Sequence, residues 1–361
     1  MVPFDKGCEI TKNRRLSIII PNFENLFEET MLRFGVIGTG RISDWVLKGA
    51  AQDSRITVTA VCSRTVEAAE AFIARNPLAK GAKVYTSVDE MVSDPEVDAV
   101  YVGTPNQTHC EYTLAALKVG KHVLCEKPLA VNADEGRRMI EAAQVSGCLL
   151  MEAMVSTLNP NFQTIAARID EIAPVRQYSS YFCQYSTKYE ALKRGEVATS
   201  FKPGTAGALR DVGVYTLYPM VALFGRPSAV KANLQTVTTA EGVSDVQGTA
   251  YFRYDGMDAV LTWSKTYDSF IPTEIAGEKG NLILDEIHIA RKAEMVPHAA
   301  PTSGQGPKPG RTVISDGLPY NEYYYEFKEF ADLIERGLKE SPWNSLQTSL
   351  TVLEIIDEIS A

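Results

Sequence analysis

Histidine is scarce in this chain. The four present (His109, His122, His288 and His298) fall into no HExxH or other ligand spacing, so the imidazole cluster of a zinc enzyme is missing and no metal is expected. Basic charge is also in deficit. Against 45 Asp and Glu stand 36 Lys and Arg, a formal net charge of −9 that repels nucleic-acid phosphates and anionic membrane surfaces. Neither nucleic acid nor membrane is an expected partner. The six cysteines (Cys8, Cys62, Cys110, Cys125, Cys148 and Cys183) show no CxxC spacing, and several sit in apolar runs where a reduced thiol acts as a small hydrophobe. A cytoplasmic setting is therefore expected. Long apolar runs are lacking as well, and none approaches the length of a membrane span. In "KNRRLSIII" Arg14 and Arg15 precede a short apolar run, but Pro21, Glu24, Glu28 and Glu29 interrupt what an export signal would need. Met1–Thr30 is read as an extension, disordered or adventitious, and a chain starting at Met31 is expected to fold as the full chain does. A loss of ellipticity or of a cooperative melt in the shortened chain would contradict this.

What is present suits two domains, since 361 residues exceed one compact core. Over residues 31–153 the apolar runs "LRFGVIG", "ITVTAVC", "DAVYVG", "HVLCE" and "CLLMEA" alternate with the helix-like "WVLKGAAQ", "TVEAAEAFIARN", "HCEYTLAALKVG" and "ADEGRRMIEAAQVSG". Strands apolar on both faces, each followed by a helical crossover, predict a doubly wound parallel sheet. From 154 to 361 the strand-like "VRQYSSYFCQYS", "AVKANLQTVTT", "VQGTAYFRY", "MDAVLTWSKTY" and "GNLILDEIHIA" follow with little helix between them, which predicts an open, mostly antiparallel sheet. "PTSGQGPKPG" reads as an exposed loop and "YNEYYYEFKEFADLIERGL" as an amphipathic helix. The fold class is α/β followed by α+β.

In "GVIGTGRIS" Gly38, Gly40 and Ser43 stand at the marked positions of G-x-G-x-x-G/A, where strand one meets its helix. Gly at the first position permits a tight turn and at the second a close approach of backbone to a pyrophosphate, which also meets the positive end of the helix. Gly38, Thr39, Gly40, Arg41 and Ile42 are therefore expected to bind a dinucleotide. About twenty residues on, where NAD would want a carboxylate for its ribose hydroxyls, the sequence reads "VCSRT". Ser63 and Arg64 supply donors and positive charge suited to a 2′-phosphate, so NADP(H) is expected in preference to NAD(H).

"TPNQTH" and "CEKPLA" each follow a strand, where carboxyl ends open on a ligand crevice. With "GVIGTGRIS", "MEAM" and "GALRDVGVY" in this order, the chain from about Leu32 onward resembles the Gfo/Idh/MocA oxidoreductases, the family of glucose-fructose oxidoreductase and inositol dehydrogenase. The resemblance implies a Rossmann domain followed by an open sheet that often pairs subunits, hence a homo-oligomer, a dimer or tetramer. It also implies that Lys127 contacts the nicotinamide ribose and substrate, with Glu126 and Pro128 as its motif neighbours, and it adds Thr104, Pro105 and Asn106 to the cofactor site. His109 is either a cofactor contact or a helix-start residue. Asp211 and Tyr215, four apart, share a helix face and can enter one cleft. The resemblance is closest to members with tyrosine at that position, such as dimeric dihydrodiol dehydrogenases. Tyr218 and Tyr251 read as packing residues.

Reduction of a carbonyl needs a proton donor beside the oxygen, and Tyr215 is the candidate. A cation about 4 Å from the phenol at an effective dielectric near 20 is worth on the order of 4 kcal/mol, roughly three pKa units downward before desolvation opposes it; Lys127 is the expected cation. Where relatives carry aromatic, Arg and His or Phe residues, "MVSTLNP" offers Ser156, Thr157 and Asn159, which leaves the substrate open. The polar stretch "KRGEVATSFKPGTAG" is expected to cover the cleft. These features describe an NADP(H)-dependent oxidoreductase interconverting a secondary alcohol of a sugar, polyol or dihydrodiol with its carbonyl, with Lys127, Tyr215 and Asp211 as its catalytic set. The alternative is a non-catalytic NADP(H)-sensing regulator, which needs the glycines but no proton donor. A methyl-transfer enzyme using S-adenosylmethionine is disfavoured by "CEKP" and the second sheet.

Overall fold

The computed structural model describes residues 31–298 and 310–361; Met1–Thr30, and all of "PTSGQGPKPG" except Gly310, lie outside the described residues. Six strands form the first sheet: β1 (Leu32–Ile37), β2 (Ile56–Cys62), β3 (Lys83–Tyr85), β4 (Ala99–Val102), β5 (His122–Glu126) and β6 (Leu150–Ala153). All pair in parallel in the order β3-β2-β1-β4-β5-β6. Helices α1 (Arg41–Ala50), α2 (Val66–Arg75), α3 (Val88–Val92), α4 (His109–Lys118) and α5 (Ala133–Ser146) connect them. β4 and β6 are wholly buried: β4 is an unbroken apolar run rather than an alternating one, and β6 is apolar except for Glu152. Strand order reverses between β1 and β4, so the loops after these two strands diverge and leave a crevice at their carboxyl ends.

Beyond β6 come α6 (Val155–Leu158), α7 (Pro160–Arg168), β7 (Val175–Cys183), α8 (Tyr189–Lys193), a π-helical turn (Leu209–Gly213) and α9 (Val214–Phe224). Seven further strands follow: β8 (Ala229–Thr239), β9 (Gly242–Arg253), β10 (Asp258–Ser264), β11 (Thr273–Gly277), β12 (Gly280–Leu284), β13 (Lys292–Pro297) and β14 (Thr312–Asp316). The second sheet runs β14-β13-β12-β11-β7-β10-β9-β8, and β7 with β10 is its parallel pair in an otherwise antiparallel arrangement. The strongly apolar α9 packs on one face of this sheet. Tyr218 lies fully within that core, whereas Tyr251 on β9 is exposed, so only the first of the two is a packing residue.

The last two helices, α10 (Tyr324–Glu335) and α11 (Leu346–Ser360), return to the first sheet. Phe327 and Phe330 on α10 set their rings 5.1 and 5.6 Å from Phe34 of β1. α11 lies against both α5 and α9, with Asp357 accepting from the Ala133 amide at 2.8 Å and Glu354 pairing with Arg137 and Arg226. Among the described residues no helix is long and apolar enough to cross a membrane.

Candidate active site

The glycine turn is built for close approach. Gly38 has φ +97°, and a Cβ there would lie 2.5 Å from the carbonyl oxygen of Gly103. Ser43, the departure from the motif, donates its Oγ to the Gly38 carbonyl at 2.8 Å and is fully buried, so the hydroxyl pins the turn that the small residue also permits. Thr65, Ser87 and Asn132 cap α2, α3 and α5 with their side chains. α1 has no such cap: it starts on Gly40, where a Cβ would meet nothing within 4 Å. Free amides, the positive helix end and open space above Gly40 fit a dinucleotide pyrophosphate. A crevice of about 300 Å³ opens there, lined by Arg41, Ile42, Thr104, Pro105, Asn106 and Asp211 among others.

Thr39 shares a 3.0 Å hydrogen bond with Ser63. Arg64 is exposed beyond β2 and makes no ion pair with any described residue. Arg75, which sequence reasoning passed over, donates to the Thr39 carbonyl at 3.0 Å and pairs with Asp44, bringing a further cation to this turn.

Lys127, one residue past the end of β5, reaches Asp211, which lines the crevice. Its Nζ donates to the Asp211 carbonyl at 2.8 Å and approaches Asp211 Oδ1 at 3.4 Å, and it sits 4.4 Å from the centroid of the Tyr215 ring. The three candidate catalytic residues therefore meet, across the π-helical turn rather than along a regular helix. Sequence reasoning missed a fourth member. Lys265, 3 % exposed just beyond β10, donates to Asp211 Oδ2 and to the Ser200 carbonyl. Burial pushes the Asp211 carboxyl up, but Lys127 and Lys265 outweigh it and hold the group down at about 2. Burial lowers the Lys265 ammonium, with Asp211 opposing.

Tyr215 departs from expectation in one respect. The Lys127 ammonium lies over the ring face instead of beside the hydroxyl, and burial, followed by Glu126, Asp211 and Glu326, pushes the phenol well above its ordinary value. The downward shift expected from Lys127 is thus absent in this arrangement. Phe182 and His288 pack edge-on against the same ring, at 5.4 and 4.3 Å. Thr199, Ser200 and Ala206, from the polar stretch before Asp211, line the crevice, and Asn106 Nδ2 ties that stretch down at the Thr205 carbonyl, 3.0 Å away.

Other candidates face inward. His109 is fully buried, with Nδ1 3.0 Å from the Pro128 carbonyl and Nε2 2.9 Å from the Thr104 carbonyl, so it ties two crevice loops together and presents no free nitrogen. Glu126 sits behind Lys127, accepting from Tyr101 Oη at 2.7 Å and from the Lys127 amide at 3.2 Å. Ser156, Thr157 and Asn159 are buried as well: Ser156 Oγ donates to the His288 carbonyl, Asn159 Nδ2 to the Ala290 carbonyl, and Thr157 Oγ1 to Asn344. They shape the wall of the site from behind.

Beneath the site Glu152 accepts from the Leu129 amide at 2.9 Å through Oε1, while Oε2 has no hydrogen-bond partner among the described residues. Burial raises its pKa to about 7. An unfolded chain gives up this proton near pH 4.5 and the folded one near 7, so folding stability falls as pH rises through that window. Glu152→Gln removes the titration. Relative to the parent, the variant is expected to gain on the order of 2–3 kcal/mol between pH 4 and pH 8. Urea unfolding at both values checks this, and a pH-independent difference would contradict it.

Two family descriptions match the chain, "Oxidoreductase family, NAD-binding Rossmann fold" over residues 32–154 and "GFO/IDH/MocA C-terminal domain" over residues 162–283. The scyllo-inositol 2-dehydrogenase (NADP(+)) IolU of Bacillus subtilis is 39% identical over 329 residues, spanning 91% of this chain and 96% of its own. The trans-1,2-dihydrobenzene-1,2-diol dehydrogenase of Bos taurus is 27% identical over 339 residues, 91% of this chain and 96% of its own. KijD10, a 3-ketoreductase from Actinomadura kijaniata solved in complex with NADP, shares the fold with a TM-score of 0.73 at 24% identity, over 91% of this chain and 97% of its own.

Proposed function

Because the chain belongs to the Gfo/Idh/MocA family of NAD(P)-binding oxidoreductases, we propose that its crevice interconverts a secondary alcohol of a sugar, polyol or dihydrodiol with the corresponding carbonyl, using NADP(H). The observation that carries this reading is the meeting of Lys127, Asp211 and Tyr215 beside the open start of α1. A nicotinamide dinucleotide supplies or accepts the hydride when bound. The chain's own residues do the rest. Gly38, Gly40 and the first amides of α1 receive the pyrophosphate, and Ser63 and Arg64 receive the 2′-phosphate. Lys127 has three donors, of which Asp211 takes two, leaving one for a ribose or substrate oxygen. Asp211, shared between two lysines, stays ionised and fixes Lys127 in place.

Tyr215 moves the proton at Oη. With its pKa raised, the phenol is protonated throughout the neutral range and delivers that proton to an alkoxide, a much stronger base. Alcohol oxidation needs the phenolate instead. Oxidation is therefore expected to accelerate steadily from pH 7 to pH 10 while carbonyl reduction does not, and an oxidation rate flat across that range would count against Tyr215 as the base.

Cofactor choice has its own test. NADPH is expected to bind more tightly than NADH, and Arg64→Ala to narrow the gap by about 1–3 kcal/mol, the scale of a charge-assisted bond. Equal affinities of the parent for the two cofactors, measured by fluorescence titration, would remove the role given to Arg64. Turnover is tested by following the reduced-nicotinamide absorbance band with inositols, sugars and a trans-dihydrodiol.

A further inference from the structure

We infer that His288 is a specificity residue that touches substrate, taking the hydroxyl on the carbon next to the reacting carbinol, so that the site selects vicinal diols over isolated secondary alcohols. The inference rests on the reading of Tyr215 as the group at the reacting carbinol. His288 reaches that point from a different part of the chain, the connection between β12 and β13, and no sequence motif marks it. Its ring centroid lies 4.3 Å from that of Tyr215 with the planes 69° apart, and 4.9 Å from Phe182.

The two neighbours share one condition. No described residue hydrogen-bonds Tyr215 Oη or either imidazole nitrogen, and the Glu286 Oε1 facing Nδ1 is 3.8 Å away, beyond hydrogen-bond range. A polar group without a protein partner that is still reachable from the solvent is open to a ligand hydroxyl. Both retain partial access, with Tyr215 8 % exposed and the His288 side chain 20 % exposed. Two adjacent unpaired groups on one wall suit two adjacent oxygens.

Charge and rigidity point the same way. Burial lowers the imidazole, opposed by Glu286, while Lys127 lowers it and Glu322 raises it. It is therefore neutral near pH 7, with one donor and one acceptor for a hydroxyl. The loop beneath it is held from three sides. Ser156 Oγ donates to the His288 carbonyl at 3.0 Å, Asn159 and Asn161 Nδ2 donate to the Ala290 carbonyl at 3.0 and 2.9 Å, and Asp285 Oδ1 accepts from the amides of Glu286, Arg291 and Lys292. The buried residues of "STLNPN" thus preset the position of this ring. A site built to pair a substrate hydroxyl rejects the analogue that lacks it, because its own polar group is then left unpaired.

The test uses dead-end complexes, in which an alcohol binds NADPH-saturated protein and cannot react. Calorimetry compares trans-1,2-cyclohexanediol with cyclohexanol in the parent, His288→Leu and His288→Gln. The parent is expected to favour the diol by about ten-fold or more, His288→Leu to bring the ratio near one with cyclohexanol affinity unchanged, and His288→Gln to restore part of the preference. No diol preference in the parent, an undiminished ratio in His288→Leu, or equal loss of both alcohols would overturn the assignment. No turnover is involved, so the outcome is separable from the oxidoreductase reading. A preference that depends on His288 in a protein that oxidises nothing would keep the contact and sink the reaction.

Discussion

Tyr215→Phe is expected to lower kcat by about 10²–10⁴, the usual worth of a positioned general acid, while leaving folding and NADPH affinity near those of the parent. Phenylalanine keeps the ring that Lys127, Phe182 and His288 pack against and removes only Oη, for which no described residue is a hydrogen-bond partner. The substitution therefore isolates the proton from the packing. Retention of the parent rate on any substrate would transfer the proton to water or to Lys127. The pH profile offers a second readout, because the rise of oxidation toward pH 10 should vanish along with the phenol.

Lys127→Ala is expected to do more damage, on the order of 10³-fold or greater in kcat/KM, since it removes a donor from the reacting region and disturbs the acid together. Three consequences separate it from Tyr215→Phe. Asp211 loses one of the two cations that hold its carboxyl near 2, the Tyr215 ring loses the ammonium on its face, and one donor toward the cofactor ribose is gone. NADPH affinity should therefore fall in Lys127→Ala and hold in Tyr215→Phe. If both variants bound NADPH as the parent does, Lys127 would have no part in cofactor placement.

How far the sequence reveals this protein differs from element to element. Five of the six parallel strands are legible because burial makes them short, mainly apolar runs, and the glycine turn is legible because its chemistry is local. β3, β11, β13 and β14 pass unnoticed, being short and without a long apolar or alternating pattern. α11 escapes for a different reason. Its buried residues include Ser349, Thr351, Val352, Ile355 and Ile356, because it is packed against both α5 and α9, and that blurs the one-faced period of a surface helix.

Long-range chemistry is the least legible. Lys265 follows an ordinary strand, and only folding brings it to Asp211, 54 residues earlier. His288 lies in an unremarkable loop. Lys127 does approach Tyr215, but the direction of the Tyr215 shift depends on whether the ammonium reaches the hydroxyl or the ring face, which spacing in sequence cannot express. Ser156, Thr157 and Asn159 stand where relatives carry larger groups, yet their hydrogen bonds turn them toward the protein interior.

Direct hydride transfer between an alcohol carbon and a nicotinamide is the central claim, and isotopic labelling tests it most directly. Ring-deuterated inositols and a deuterated trans-dihydrodiol, incubated with the protein and NADP⁺, should yield NADPH one mass unit heavier, with the label on the dihydronicotinamide ring. Formation of unlabelled NADPH, or no NADPH from any of these alcohols at saturating NADP⁺, would contradict it.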